Sequence, residues 1–256
     1  MRLGLVSALQ QEQTGLIDLM AHPARMHSGM REYTLGEIEG LECVCVLSRI
    51  GKVAAAATAT TLIERFGVTH LVFTGVAGSG DAAAKVGDIV VGSQLLQHDV
   101  DASPLFPRFE IPLIGKSRFA ADALLTGELV QAAQTFLEQD FHHLVPEAER
   151  QRFRLHQPAL HAGLIGSGDE FITEAAKIRQ LKAALPDLLA VEMEGAAVAQ
   201  VCHEFGIGFA VLRTISDAAD EAAPVGFTEF IDAVAARYAF GIMRRFCRQL
   251  SRLNTA

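Results

Sequence analysis

The sequence predicts an α/β fold in which a mostly parallel sheet lies between helical layers, and three observations carry that expectation. Short apolar, β-branched runs at 3–8, 41–47, 69–74, 88–93, 188–193 and 208–215 have the length and composition of strands, with 160–166 a weaker seventh. Stretches at 52–66, 118–139, 174–185, 194–205 and 228–253 repeat their apolar residues at three and four with few internal breakers, as helices do. The two kinds of segment alternate, which is the pattern of a sheet sandwiched between helices.

Taken in order, the first strand starts at once. Leu3-Gly4-Leu5-Val6-Ser7-Ala8 is followed by Gln10-Gln11-Glu12-Gln13, which interrupts the apolar run too early for the core of a signal peptide. Closely spaced strands around 30–47 read as antiparallel hairpin elements, making the sheet mixed. Gly75-Val76-Ala77-Gly78-Ser79-Gly80 follows Phe73-Thr74 either as a tight turn or as a loop whose amides approach a ligand, and it is neither a Walker loop nor G-x-G-x-x-G. Residues 97–117 hold three prolines and two phenylalanines without any period, so a long apolar loop is expected to pack on its own chain or on a neighbouring subunit. The charged, His-rich stretch 140–159 reads as a solvated excursion. No repeat or low-complexity linker divides the chain, and one domain is expected across 1–256.

Composition narrows the function classes. A chain of 256 residues, half of them apolar, buries roughly three quarters of its extended surface. Its apolar stretches fall far short of the roughly 18 residues of a membrane span. A net charge of −8 argues against a nucleic-acid partner, whose affinity is built on clustered Lys and Arg, and suits small neutral or cationic substrates. Cys43, Cys45, Cys202 and Cys247 lack the paired spacing of a zinc site or redox motif, and read as buried reduced thiols of a cytoplasmic protein. No second His stands at ligand spacing from His98, Asp99 and Asp101, so no metal is expected.

The chemistry gathers at strand exits. In Leu189-Ala190-Val191-Glu192-Met193-Glu194-Gly195, two carboxylates stand where an apolar strand runs into a small-residue helix. They lie two apart, so an extended backbone aims both to one side. Burying an unpaired carboxylate costs several kcal/mol, hence something cationic or rich in hydroxyls is expected to meet them. A second exit, Phe209-Ala210-Val211-Leu212 into Arg213-Thr214-Ile215-Ser216-Asp217, carries another acid, and Glu12 follows the first strand. Each acid alone also reads as a helix N-terminal residue satisfying the dipole. Together they form a candidate active site, because ligands of open α/β sheets bind beyond the carboxyl ends of strands. Ser216 suits an orienting hydrogen bond to Asp217 better than a nucleophile's role, since G-x-S-x-G is missing. Gly166-Ser167-Gly168-Asp169-Glu170-Phe171-Ile172 bends the chain and then offers an aromatic; Phe171 is either a core residue or a platform for a planar base.

These segments, with Ser48-Arg49-Ile50-Gly51-Lys52-Val53-Ala54-Ala55 and Val86-Gly87-Asp88-Ile89-Val90-Val91, together resemble the nucleoside phosphorylase and hydrolase superfamily, and more particularly its adenine-releasing nucleosidases. The matches run in family order across 3–232. The resemblance implies a three-layer α/β/α sandwich around a twisted mixed sheet, and hydrolysis of the N-ribosidic bond of an adenine thioribonucleoside. It makes Asp217 the donor of a proton to N7 of the purine, with Ser216 holding the carboxyl group, and Glu12 the base that activates water. Glu194 with Met193 would grip the ribose hydroxyls and Glu192 would lie close by. Phe171 would stack on adenine and, with Ile172, offer backbone groups to its edge. Ala77 and Gly78 would line the substrate cavity, and Ile50 and Phe227 would wall an apolar 5′ pocket. Phe106 or Phe109 would close that pocket across a homodimer interface. The partner implied is a small nucleoside, with no cofactor.

Two departures from the family pattern bear on mechanism. Val76 stands where such nucleosidases often have Ser, and Arg49 replaces a small residue. An added cation favours a phosphorylase, in which Arg binds the attacking phosphate. A carboxylate at position 12 repels phosphate and suits water. The same residues also suit a nucleosidase for another 5′-modified purine nucleoside, or a binding protein without turnover.

Overall fold

The computed structural model describes residues 1–155, 157–219 and 223–255, with the side chains of 223–226 and 255 left aside. In chain order its strands are β1 (Leu3–Ser7), β2 (Ala21–Ser28), β3 (Arg31–Ile38), β4 (Leu41–Leu47), β5 (His70–Ser79), β6 (Ile89–Gln97), β7 (Phe119–Ala120), β8 (Leu160–Ser167), β9 (Leu188–Glu192) and β10 (Gly208–Asp217). The α-helices are α1 (Lys52–Phe66), α2 (Ala123–Thr135), α3 (Phe141–Leu144), α4 (Glu147–Arg152), α5 (Ala175–Ala184), α6 (Gly195–Phe205), α7 (Ala223–Phe230) and α8 (Ala236–Thr255). No helix among the described residues is long and apolar enough to cross a membrane.

The strands form one mixed sheet. β4, β1, β5 and β10 pair in parallel, as do β6, β8 and β9, whereas β2, β3 and β4 form an antiparallel edge. Strand sides alternate between two apolar clusters. Leu3, Leu5, Cys43, Cys45, Val72, Ile89 and Leu212 pack with Leu125 and Leu129 of α2 and Phe246 of α8. Their neighbours Val6, Val44, Val46, Leu71, Phe73, Val90 and Val211 pack with Ala55 and Leu62 of α1 and Val198 and Cys202 of α6. Covering both faces explains why these strands read as unbroken apolar runs. All four cysteines are buried free thiols.

The sheet also curls on itself. β10 pairs antiparallel with β6, and β9 pairs antiparallel with β5 through Gly78 to Val191 and Ser79 to Ala190, closing β5, β10, β6, β8 and β9 into a ring. Gly78 is the junction: its other neighbour in register is Asp217 of β10. A side chain there would put a Cβ 3.0 Å from both Asp217 Oδ1 and the Ala219 Cβ, so any larger residue needs these neighbours to give way where three strands converge. The run 75–80, expected to be a turn or a loop, is therefore mostly strand: β5 continues through Ser79.

Other differences have local causes. β2 gives no sequence signal because it is exposed on both sides and contains Pro23, as edge strands tolerate. The helix expected from 118 begins later, because Phe119–Ala120 pairs with β6 and the Asp122 side chain caps α2 by accepting from the Leu125 amide at 2.9 Å. The helix expected over 228–253 begins at Ala223 and passes through a π-helical turn, Ile231–Ala235. The stretch 140–159 is not merely a solvated excursion: Phe141, Val145 and Leu155 are buried in the cluster that includes Phe136 and Tyr238.

Candidate active site

Glu12 lies in a short 3-10 turn, Gln10–Gln13, that follows β1. One of its carboxylate oxygens accepts from the Ala8 and Leu9 amides, both at 2.9 Å, and the other from the Val76 amide of β5 at 3.1 Å. That last contact requires bare backbone at position 75, where a Cβ would sit 2.8 Å from Glu12 Oε1. Burial pushes the Glu12 carboxyl above its usual range, against the pull of these amides and of Arg213.

Glu194 stands between β9 and α6 and accepts from the Gly51 amide at 2.9 Å. Burial first, and then the neighbouring Glu192 carboxylate, push Glu194 up to about 8, with Arg213 and the Gly51 amide opposing them. Asp217 ends β10. Its Oδ2 lies 2.7 Å from the Ser216 hydroxyl and its Oδ1 accepts from the Ala219 amide at 2.8 Å, so both carboxyl oxygens are oriented by their own chain. The Ser216 hydroxyl is also 3.3 Å from the Ala77 carbonyl, which ties β10 to β5 behind the acid.

Glu192 meets the cation its burial demanded. Arg213 Nη2 lies 2.5 Å from Glu192 Oε2, with side chains 1% and 2% exposed. The Gly195 amide and the Ser167 hydroxyl also donate to the Glu192 carboxylate. Its companion Glu194 instead faces Gly51, because the backbone turns at φ −136° and ψ −43° there. The expectation that an extended backbone aims both carboxylates to one side is thus corrected: Glu192 borders the cavity, but its carboxylate is engaged by Arg213. Arg213 adds donors to the Phe73 and Leu212 carbonyls and stacks 4.3 Å from the Phe73 ring centroid.

The acids border one cavity of about 430 Å3. Its wall includes Ile50, Val76, Ala77, Gly78, Phe171, Ile172, Met193 and Phe227, together with Glu12, Glu192, Glu194 and Asp217. Phe171 is 42% exposed rather than a core residue, and meets Phe227 edge to face at 5.3 Å between centroids. Ile50 is 54% exposed at the mouth. Ser216 does not border the cavity; it holds Asp217 from behind. Arg49 faces away, donating to the Met30 carbonyl at 2.7 Å and bordering a separate cavity of about 560 Å3, so it brings no cation to the acids. Phe109, expected to serve a neighbouring subunit, is instead buried in its own chain with Leu96, Ile172 and Val191. Phe106 is half-buried, while Leu105 and Leu113 of the same loop are 84% and 93% exposed. Among the described residues no group of three His, Cys, Asp or Glu side chains is arranged to hold a metal ion.

The model of the Phosphorylase superfamily matches residues 2–248. The chain belongs to that superfamily. A 5'-methylthioadenosine/S-adenosylhomocysteine nucleosidase of Shewanella frigidimarina is 34% identical over 231 residues, 90% of this chain and 92% of the relative. The nucleosidase of the same name from Neisseria meningitidis, solved in complex with methylthio-immucillin-A, superposes with a TM-score of 0.85 at 31% identity, covering 97% of this chain and 99% of that one. Futalosine hydrolase of Helicobacter pylori superposes with a TM-score of 0.80 at 31% identity, covering 95% and 96% of the two chains.

Within this superfamily member, sequence reasoning missed three parts of the site. Leu9 and Ala8 border the cavity, and Glu170 stands at its edge. The motif around Arg213 suggested no role for the arginine, although a charged residue between Leu212 and Thr214 in a fully buried strand is itself a signal that a carboxylate waits nearby. Ser167, likewise, donates to the Glu192 carboxylate and accepts from the Ala196 amide, joining β8 to the start of α6.

Proposed function

We propose that this chain hydrolyses the N-ribosidic bond of 5′-methylthioadenosine, S-adenosylhomocysteine or both, releasing adenine and a 5′-thioribose. The observation that carries this reading is the convergence of Glu12, Glu194 and Asp217 on one cavity bordered by an exposed aromatic. Cleavage of a ribosidic bond passes through an oxocarbenium-like state, which calls for an acid at the leaving group and a base for water on the opposite face. Asp217 gives its proton to N7 of the purine, with Ser216 and the Ala219 amide holding the carboxyl in place. Glu12 takes a proton from the attacking water; its burial raises its proton affinity and makes it a stronger base than an exposed glutamate. Glu194 sits at the ribose with Met193, where growing positive charge on the sugar draws it toward the carboxylate form. Phe171 stacks on the base, Ile172 borders its edge, and Ile50 and Phe227 wall the 5′ substituent. Ala77 and Gly78 form the floor where the strands converge.

Water rather than phosphate is the nucleophile because Arg49 faces the other cavity and Glu12 occupies the position from which an anion is repelled. Purified protein in phosphate-free buffer is therefore expected to release adenine from 5′-methylthioadenosine, read by chromatography. Strict dependence on added phosphate would favour the phosphorylase, and tight binding without release a binding protein. Run against pH, the same assay should give kcat/KM that falls on the acid side with an apparent pKa above 4.5, since Glu12 works only unprotonated and burial raises its pKa. An acid limb at or below that value would remove Glu12 as the base.

A larger 5′ group is a second reading, favoured by the exposed Ile50 at the mouth and by the likeness to futalosine hydrolase. A panel of 5′-modified purine nucleosides decides between them. The same reading includes a homodimer, in which Phe106 and the exposed Leu105 and Leu113 meet a second copy, and a cytoplasmic setting, in keeping with four free thiols. A concentration-independent monomer with full activity in the ultracentrifuge would remove the dimer.

A further inference from the structure

Two walls of the cavity are carried by the turn from β4 to α1, which holds Ile50, and by the segment after β8, which holds Phe171 beside the buried Ile172. One lysine connects them. Lys52 Nζ lies 2.5 Å from Asp99 Oδ1, 3.1 Å from Gln97 Oε1 and 3.9 Å from Asp169 Oδ2. Its main-chain amide donates to Asp169 Oδ1 at 2.8 Å, and the Asp169 amide donates to Asp99 Oδ2 at 2.9 Å. Gln97 donates in turn to Gln200 of α6 at 2.7 Å. The Lys52 side chain is only 15% exposed and Asp99 31%, so that pair is partly desolvated, whereas Asp169 is exposed and its 3.9 Å contact is screened. It does not border the cavity. Beneath the same segment lies His98, buried, with its ring against Gly168, where a Cβ would sit 2.6 Å from Nε2.

We propose that Lys52, acting through Asp99 and Asp169, is a positioning residue that sets the distance between the base-stacking wall at Phe171 and the 5′ wall at Ile50. This rests on the nucleosidase reading of the site. Without the ammonium group, Asp99 and Asp169 are left as adjacent carboxylates, and the Phe171 segment must be ordered by the ligand at the expense of affinity. Two of the reacting groups are held apart from this network, Glu12 by the Ala8, Leu9 and Val76 amides and Asp217 by Ser216 and Ala219, whereas Glu194 accepts from Gly51 of the same turn. Binding should therefore suffer more than turnover.

The test compares the parent with Lys52→Met, measuring KM and kcat for 5′-methylthioadenosine and the Kd of adenine by calorimetry. Lys52→Met should raise KM and the adenine Kd about tenfold and leave kcat within about threefold. Lys52→Arg should recover part of the loss. Gly168→Ala, which drives the segment off His98 without touching the lysine, should raise KM in the same way. An unchanged KM and adenine Kd in a folded Lys52→Met protein would overturn the proposal, as would a loss confined to kcat. Should Lys52→Met not fold, Asp99→Asn must show the same rise in KM or the proposal fails. A parent that releases no adenine refutes the nucleosidase reading instead, and the adenine Kd values still judge the lysine.

Discussion

Asp217→Asn is expected to leave nucleoside binding within about tenfold and to lower turnover by roughly 10²-fold or more, the loss typical of a missing general acid. The change is nearly isosteric, and the neighbours support the amide as well as the acid. An amide oxygen still accepts from the Ala219 amide, and an amide nitrogen can donate to the Ser216 hydroxyl. On the proposed mechanism, what disappears is the proton that passes to N7 as the bond to the sugar breaks. Binding is read by calorimetry with adenine or a non-hydrolysed analogue, and turnover by adenine release. Equal turnover in a folded Asp217→Asn protein would move the proton donor elsewhere in the cavity.

Arg213→Met is expected to reduce the free energy of unfolding by about 3–5 kcal/mol, the cost of stranding a buried carboxylate without its partner. Both side chains of the Arg213–Glu192 pair are essentially removed from water, so screening offers no relief. The Gly195 amide and the Ser167 hydroxyl remain on Glu192 but neutralise no charge. Urea denaturation provides the number. The double variant Arg213→Met/Glu192→Gln should regain most of the loss, since no unpaired charge is left and glutamine keeps an acceptor for Gly195. A single variant within about 1 kcal/mol of the parent would mean that water or rearrangement reaches Glu192. Activity should move too. Arg213 draws down the proton affinity of Glu12 and of Glu194, so without it the acid limb of the pH profile shifts to higher pH.

Much of the fold and site is legible from the chain alone, and the limits fall at identifiable places. Strands buried on both faces announce themselves as apolar runs, so β1, β5, β9 and β10 stand out, whereas β2, exposed and broken by Pro23, carries no signal. The acids at strand exits are visible because polar residues at the end of an apolar run need a reason. The direction each one faces is not visible. Glu192 and Glu194, two apart, are expected side by side; one backbone turn after β9 sends Glu192 to Arg213 and Glu194 to Gly51. Phe109 looks available to a neighbour because its loop has no period, yet a left-handed φ of 70° turns it into its own core.

What the amino-acid order determined by itself is the alternation of strand and helix, the acids at three strand ends and the glycines beside them. These are local properties, written in residue type and spacing. Only the tertiary structure decided that Gly78 joins β10 to β9 across β5, that Arg213 lies beneath the acids, and that Lys52 reaches Asp99 and Asp169. Those contacts join residues far apart in the chain, and they exist because the sheet curls until β9 meets β5, a closure set by the combined twist and packing of all its strands and by no single segment.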